Sequence, residues 1–383
     1  MTFFAHAHVQ AENWSAIARG LAKGLALSTA VDCGGESRLG FLYATDALAD
    51  DFSSILTYLR QITGVEHWVG SLGIGICGGD REYFNEPAAA AMIASLPVAS
   101  FRVLPVIEDS MDQIPDAERR WMKDVSPPFG VVHGDPMNPR IPALVEGLSL
   151  EIENLALELP GFLVGGLTSS RAAQHQLAGH VTCGGLSGVL FAPEIEVATG
   201  LSQGCSPVGA AHIISDCFDN TIAGLDGNPA IDVFKDDVGE LLARDLNQVT
   251  GYIHAAFPVH GSDTGDYLVR NLIGMDHERG WLAIAGPVEA GERVIFVRRD
   301  PKAAKHDLTR MVEDLKRRLP TPPRGGLYFS CVARGPNMFG EDCCEMALIN
   351  DVLGDFPLVG FFGNGEISNN RLYGYTGVLA VFL

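Results

Sequence analysis

Residues 326–383 decide the fold that this sequence predicts. They read GLYFSCVARGPNMFG (326–340), EDCCEMALINDVLGDFPLVG (341–360) and FFGNGEISNNRLYGYTGVLAVFL (361–383). The pattern predicts a strand, a polar loop, a short helix, a second strand, a glycine-rich elbow and a final strand. Polar or reactive side chains stand where the apolar runs end, a position that binding groups often occupy on α/β scaffolds. The segment therefore predicts both a folding unit and a candidate site.

The same order of elements occurs twice earlier in the chain. Each copy begins with a short apolar strand: LGFLYAT (39–45), FGVVHGD (129–135) or GLYFSCVARG (326–335). A helix follows in each copy, and the next strand contains Val-Gly: HWVGSLG (67–73), FLVGGLT (162–168) or PLVGFFG (357–363). A return strand closes at least the last two copies: LSGVLFA (186–192) and YTGVLAV (375–381).

This repetition predicts the fold class. A strand–helix–strand unit of this length implies a crossover between parallel strands, whereas a short elbow implies an antiparallel partner. We therefore expect an α/β (α+β mixed) protein with mixed parallel and antiparallel sheets flanked by helices. The glycine after each valine has two explanations, close packing at the strand or a nearby ligand, and the sequence leaves both open.

Three other segments complete the expected architecture. The alanine-rich run Ala88–Leu96 favours a helix. Strand-like runs separated by turn signals, between Tyr267 and Val297, predict an antiparallel sheet. The sequence Asp226-Gly227-Asn228-Pro229 predicts a turn and is the best candidate for a domain boundary.

Composition limits the classes of partner. The chain has 383 residues, enough for two domains, and carries 27 basic against 47 acidic residues for a net charge of −20. Nucleic acid and anionic membranes are therefore not expected as partners, because both require clustered cations. We also find no secretory signal, no run of ~20 apolar residues that would span a membrane, and no CxxC pair among the eight cysteines. These features predict reduced thiols and a cytoplasmic location.

Several motifs carry a family resemblance. They are LSQGCSPVG (201–209), GLYFSCVARGPNMFG (326–340), FPLVGFFGNGEI (356–367), TGVL (376–379) and, in kind, the run from Asp266 to Asp300. In this order they resemble the FIST proteins, named for F-box and intracellular signal transduction. The resemblance places a FIST N-terminal domain at residues 1–225, matching from about Val31 to Leu225. It places a FIST C-terminal domain at residues 226–383, matching from Asp226 through Glu366.

The resemblance implies a sensory module that binds a small molecule, with an amino acid or a similar small carboxylate metabolite as ligand. Many members carry a signalling output domain, but both FIST domains leave no residues here for one. Any signal is therefore expected to pass to a separate protein partner. We expect no cofactor, no metal and no nucleic acid, and a binding protein is favoured over an enzyme because no nucleophile, base and orienting residue form a recognisable set.

The candidate ligand-binding residues are Ser202, Gln203, Cys331, Arg334, Asn364 and Glu366. Arg334 can hold a carboxylate through parallel N–H bonds, and Glu366 can hold an ammonium group. If both face one cleft near the elbows between the two FIST domains, an amino acid would fit. The alternative is that these two side chains pair with each other or stabilise loops.

Three smaller features leave their alternatives open. Cys331 is a reactive thiolate in a thiol enzyme or redox sensor if the nearby cation lowers its pKa, but inert if it is buried. A ligand-independent interaction scaffold is a further alternative for the whole protein.

His6 and His8 project from one strand face as two of the ligands of a zinc site, or simply as two polar residues. Cys343 and Cys344 stand at a helix start, where one thiolate would be favoured.

Overall fold

The computed structural model describes residues 3–28, 36–155, 161–239, 251–259, 265–340 and 345–383. The chain divides into two compact units. The first unit comprises Met1–Ser202 and Asp307–Leu383, and the second comprises Gln203–His306. Within the described residues, no helix is long and apolar enough to cross a membrane.

The first unit contains three copies of one repeat. Repeat 1 contains β1 (Phe3–Gln10), α1 (Trp14–Ser28), β2 (Glu36–Thr45), α2 (Phe52–Thr63), β3 (His67–Gly73), β4 (Gly75–Gly78), β5 (Arg81–Phe84) and β6 (Ala88–Pro97). Repeat 2 contains β7 (Phe101–Ile107), α3 (Asp116–Val125), β8 (Phe129–Gly134), α4 (Ile141–Leu155), β9 (Phe162–Leu167), β10 (Gln176–Ala178), β11 (His180–Thr182) and β12 (Leu186–Phe191). Short 3-10 turns lie at Asp46–Leu48 and Met111–Gln113.

Repeat 3 is interrupted by the second unit. It contains β13 (Val197–Gln203), α6 (Pro301–Arg318), β21 (Gly325–Cys331), α7 (Pro336–Phe339), α8 (Glu345–Leu353), β22 (Leu358–Gly363), β23 (Glu366–Ser368), β24 (Arg371–Tyr373) and β25 (Thr376–Phe382). In each repeat the first two strands of the predicted pattern pair in parallel: β2 with β3, β8 with β9, and β21 with β22. The return strands β6, β12 and β25 pair antiparallel with β2, β8 and β21. The predicted mixed α/β fold is thereby confirmed.

Each repeat contains a hairpin that joins the sheet of another repeat. The three hairpins are β4–β5, β10–β11 and β23–β24. The three six-stranded sheets have the orders β1-β6-β2-β3-β10-β11, β7-β12-β8-β9-β23-β24 and β13-β25-β21-β22-β4-β5. The hairpin of repeat 1 therefore completes the sheet of repeat 3, that of repeat 2 completes the sheet of repeat 1, and that of repeat 3 completes the sheet of repeat 2. Each repeat thus supplies edge strands that another repeat needs, so the three copies form one folding unit.

The central strands of each sheet are buried on both faces. The inner faces of the three sheets share one apolar core, in which Phe41, Val131 and Leu327 hold corresponding positions. The next residue along each of these strands points outward, where helices of the same repeat cover the sheet. This layering explains why the repeats appear in the sequence as short continuous apolar runs rather than as alternating patterns.

The expectation of a helix at Ala88–Leu96 is wrong. These residues form β6, which pairs with β1 on one side and β2 on the other. Ala90 and Met92 enter the shared inner core, whereas Ala89 and Ala91 pack against the helices. Because both faces are apolar, the run shows no strand periodicity, and two-sided backbone pairing overrides the helix propensity of alanine. This strand is the return strand of repeat 1, which the sequence pattern did not reveal.

The glycine after each valine has a structural explanation. A Cβ on Gly70, Gly165 or Gly360 would overlap the carbonyl oxygen of the residue opposite on the neighbouring parallel strand. Close approach of two backbones therefore accounts for all three glycines, and none of them requires a ligand.

The second unit is built on antiparallel strands. Its elements are β14 (Cys205–Phe218), β15 (Thr221–Leu225), β16 (Asn228–Pro229), α5 (Ala230–Val238), β17 (Ile253–Pro258), β18 (Tyr267–Asp276), β19 (Trp281–Ile284) and β20 (Arg293–Arg299). The sheet order is β14-β20-β17-β18-β19-β15-β16, and β14 also pairs with β15, so the sheet closes on itself. The predicted antiparallel sheet between Tyr267 and Val297 is confirmed. Ile231 and Phe234 of α5 pack into its core.

Candidate ligand-binding site

A buried network surrounds Arg334, which lies just beyond the end of β21. Its Nε and Nη2 donate to Glu345 Oε2 at 2.9 and 2.6 Å. The same oxygen accepts a bond from the Tyr328 hydroxyl at 2.7 Å. The other oxygen, Oε1, accepts bonds from Ser330 Oγ at 2.8 Å and from the Gly335 N–H at 3.2 Å. Neither Arg334 nor Glu345 is exposed at all, so this is a fully buried and well-bonded ion pair.

The ion pair holds Arg334 in its charged form. Burial acts to lower the pKa of Arg334, but the carboxylate of Glu345 more than offsets this and raises it above its ordinary value. The side of the guanidinium that faces Ser202 is less firmly held, with bonds of 3.5 Å from Nη1 to Ser202 O and from Nη2 to Ser202 Oγ. Arg334 thus already has a carboxylate partner, and only its Ser202 side has weak bonds.

Sequence reasoning missed Glu345. The expected internal partner of Arg334 is Glu366, whereas the structure pairs Arg334 with Glu345, the first residue of α8. An acid at a helix start is ordinarily explained by the helix dipole, so nothing in the sequence marks Glu345 as a buried ion-pair member. Glu82 of β5 accepts bonds from the backbone N–H groups of Glu345 and Met346, at 2.6 and 3.4 Å. That contact places the start of α8 against Arg334.

Glu366 is the second buried acid of the region. Its Oε2 accepts bonds from the Thr376 hydroxyl at 2.7 Å and from the Thr376 N–H at 3.2 Å. Its Oε1 is buried and has no hydrogen-bond partner in the protein. Burial raises the pKa of Glu366 to about 8, against the opposing effect of the bonds from Thr376. The carboxyl group is therefore largely protonated at neutral pH and has one oxygen unsatisfied.

Cys331 is the last residue of β21. It is buried, and its pKa is raised above the ordinary value, first by burial and then by the nearby Glu366. Arg334 acts in the opposite direction but does not reverse the shift. The environment therefore favours the neutral thiol, whereas an activated nucleophile needs a lowered pKa. Cys331, Arg334 and Glu366 are therefore electrostatically coupled.

The other candidate residues occupy different settings. Ser202 is fully buried beside Arg334. Asn364 has an exposed side chain, and its backbone N–H donates to Leu167 O at 2.9 Å, so it lies outside the buried cluster. Gln203 is the first residue of the second unit, where its Nε2 donates to Tyr267 O at 2.8 Å. Cys343 and Cys344 lie outside the described residues.

His133 is a further buried polar group on the inner face of the first unit. Its Nε2 and the Tyr43 hydroxyl are 3.1 Å apart, and its Nδ1 has no partner in the protein. Burial lowers the pKa of His133 to about 3, so the ring is neutral. His133, Gly166 and Glu366 are successive partners on three paired strands, which places both unsatisfied side chains on one face with a glycine between them. No sequence pattern indicated this row.

The fold and the buried polar cluster define a three-repeat α/β protein with an incompletely satisfied site at the strand ends of repeat 3. The FIST N domain matches residues 38–228 and the FIST C domain matches residues 230–369. Together they span most of the chain, which therefore belongs to the FIST family. FIST domains are generally associated with sensory roles in signal transduction and with ligand binding. The boundary near residue 225 stays a prediction.

Related proteins match this chain along nearly their whole length. An uncharacterized protein of Mycobacterium tuberculosis strain H37Rv is 32% identical over 368 residues, which cover 91% of this chain and 92% of that protein. An uncharacterized protein of Mycobacterium bovis is 28% identical over 382 residues, which cover 94% of this chain and 96% of that protein.

Proposed function

We propose that this protein is a sensory binding protein for an amino acid or a similar small carboxylate metabolite. The ligand binds at the ends of β21 and β22, with its amino group beside Glu366. The observation that carries this proposal is the fully buried Glu366 carboxyl group, whose Oε1 has no partner. An unsatisfied buried polar atom costs about 1–3 kcal/mol, and a ligand donor would remove that cost.

The chemistry of the cluster fits a ligand with an amino group. An ammonium group beside Glu366 would favour the ionised carboxylate and form a charge-assisted hydrogen bond with it. Because the carboxyl group is largely protonated before binding, with a pKa of about 8, the ligand would displace its proton. The carboxylate of the ligand would approach Arg334 from the Ser202 side, where the existing bonds are 3.5 Å long. There Ser202 belongs to the FIST N segment and Arg334 to the FIST C segment.

The proposal extends to location and signalling. We place the protein in the cytoplasm because its cysteines show no CxxC pair and are expected to be reduced, and because its composition is acidic. The ligand-bound form would pass its signal to a separate protein. Binding of the ligand at the ends of β21 and β22 would stabilise one arrangement of the loops there, and the partner would recognise that arrangement.

A ligand screen tests the proposal. Thermal unfolding is followed with the common amino acids, with amines lacking the carboxylate and with acids lacking the amino group. A true ligand at ~100 times its dissociation constant should stabilise the fold by ~2.7 kcal/mol. Calorimetry at pH 7 in buffers of different ionisation enthalpy should show close to one proton released for each ligand bound.

Matched variants locate the site. Glu366→Gln keeps the shape of the side chain but removes the ionisable group, and it should abolish both binding and proton release. Glu278→Gln changes an exposed acid in a turn of the second unit and should bind as the wild type does. If no amino compound stabilises the protein, or if Glu366→Gln binds normally, the proposed site is wrong.

A further inference from the structure

A cleft lies in the first unit, and Glu366 is not among the residues that line it. It is a cleft of about 410 Å³ between β1, the β4–β5 turn and the segment that follows α8. His6, His8, Gly79, Asp80 and Asp355 contribute to its lining. A cleft of this volume is within the range of small-ligand sites. The function proposed above uses none of these residues.

His6 and His8 converge on one point in the cleft. They project from the same face of β1, and their rings are nearly parallel, with centroids 6.2 Å apart. A Cβ placed on Gly79 would lie 3.1 Å from His8 Nε2 and 3.5 Å from His6 Nε2. Both Nε2 atoms therefore border the space that Gly79 leaves open by having no side chain.

A hydrogen bond to the ring nitrogen that faces away from the cleft orients the His8 ring. Its Nδ1 lies 2.6 Å from the hydroxyl of Tyr83 on β5. Metal-binding histidines usually engage their second ring nitrogen in such a bond, which orients the ring and leaves the other nitrogen for the metal. In His8 that other nitrogen is the one that borders the cleft. Asp80, next to Gly79 in the turn, adds a carboxylate to the same lining.

We propose that this cleft binds a divalent transition-metal ion of the zinc type through the Nε2 atoms of His6 and His8. Imidazole nitrogen is a preferred ligand of Zn²⁺, Cu²⁺ and Ni²⁺. Within the described residues, no group of three or more His, Cys, Asp or Glu side chains is arranged to hold a metal. The two imidazoles thus supply half of a tetrahedral shell, and water or an oxygen donor from a small ligand completes it. Because the ring centroids lie 6.2 Å apart, binding requires the His6 ring to tilt towards that of His8, which Tyr83 orients.

Cobalt titration tests this site directly. Co²⁺ reports its coordination through visible absorption, and Zn²⁺ should displace it. We expect one Co²⁺ per chain. His6→Ala and His8→Ala should each weaken binding at least ~10-fold, and Tyr83→Phe should weaken it about 10- to 100-fold through loss of the orienting bond. His277→Ala removes an exposed histidine from a turn of the second unit and should have no effect.

Other outcomes would overturn the proposal. Binding that survives in the His6→Ala/His8→Ala variant would place the metal elsewhere. Binding lost only in Cys183→Ser would assign it to that exposed thiol. Absence of any cobalt spectrum or zinc-binding heat with the wild type would show that the histidines are only two polar side chains. Thermal unfolding of each variant without metal checks that the fold is retained.

Discussion

The three hairpins place three different residues at one structural position. In each sheet, the residue after the repeated Val-Gly pairs with a residue of the exchanged hairpin: Ser71 with Gln176, Gly166 with Glu366, and Phe361 with Ile76. Ile76 is a fully buried apolar side chain of the shared core. Gln176 is also buried, but it donates to Gly185 O at 2.9 Å and accepts from Ser187 Oγ at 2.7 Å.

The comparison separates scaffold from site. An apolar side chain occupies this position in one hairpin, and an amide with hydrogen bonds to both its nitrogen and its oxygen occupies it in another. The fold therefore does not require a carboxyl group there. Glu366 alone of the three leaves an oxygen without a protein partner and has a raised pKa. Glu366 differs from the residues at the same position in the other two hairpins, and this difference is the reason to propose a function for it.

The largest expected effect concerns the buried ion pair of Arg334 and Glu345. Arg334→Met would leave the Glu345 carboxylate buried without its cation, and breaking such a pair costs about 3–5 kcal/mol. Chemical denaturation should show a loss of that size. The double variant Arg334→Met/Glu345→Leu should recover much of it, because an apolar pair of similar volume avoids the isolated charge. A single variant as stable as the wild type would mean that Arg334 has little structural role.

Glu366 should make stability depend on pH. Its pKa of about 8 in the folded protein exceeds that of the unfolded chain, near 4.3, so the folded state holds the proton more tightly. Its contribution is complete below the unfolded pKa and is lost as pH rises towards the folded pKa. Between pH 5.5 and 7.5, the wild type should lose ~1.4 kcal/mol per pH unit relative to Glu366→Gln.

Repeat 2 supplies the matched control for this pH dependence. Gln176→Glu places a carboxyl group at the corresponding buried position, beside the Gly185 carbonyl that now accepts the amide N–H. Protonation would let the new side chain keep that bond, so the variant should acquire a further loss of stability with rising pH. Urea unfolding at a series of pH values measures both variants. Equal curves for the wild type and Glu366→Gln would contradict the raised pKa.

The repeated glycines should all resist substitution, unlike the hairpin residues. Gly70→Ala, Gly165→Ala and Gly360→Ala each force a Cβ against a carbonyl oxygen of the adjacent strand. Overpacking of this kind typically costs 1–3 kcal/mol. Gly374→Ala, whose Cβ would meet nothing within 4 Å, is the control and should be near neutral. A markedly smaller cost in one copy would show that its backbone approach is relaxed more easily than in the others.

Much of this architecture follows from sequence patterns, and its gaps have physical causes. Short apolar runs followed by helices predicted the three parallel strand pairs, since continuous burial and crossover length are local properties. The strand at Ala88–Pro97 was missed because burial on both faces removes the alternating pattern. The hairpin exchange was not predicted either, because no local signal says which sheet edge a hairpin will join.

The candidate site was also predicted only in part. Cys331, Arg334 and Glu366 were expected together because these polar or reactive side chains stand where the apolar runs of the third repeat end. Their partners Glu345 and Thr376 were not expected, since the identity of a buried partner depends on how α8 and β25 pack. The sequence therefore indicates these three residues but not the hydrogen-bond partners of their atoms, and those partners distinguish Glu366 from Gln176. Their role in ligand binding stays a prediction.

The smallest expected effect is on thiol reactivity, and it tests whether the cluster is chemically reactive or only polar. Burial and Glu366 keep the Cys331 thiol neutral, whereas Cys183 is exposed. Iodoacetamide at pH 7.5 should therefore modify Cys183 well before Cys331, as peptide mass spectrometry can resolve. Glu366→Gln removes one contribution to the raised pKa, but burial remains, so Cys331 should still react slowly. Fast labelling of Cys331 in the folded wild type, with a midpoint below the ordinary thiol pKa, would instead favour a thiol enzyme or redox sensor, because only an accessible thiolate reacts in that way.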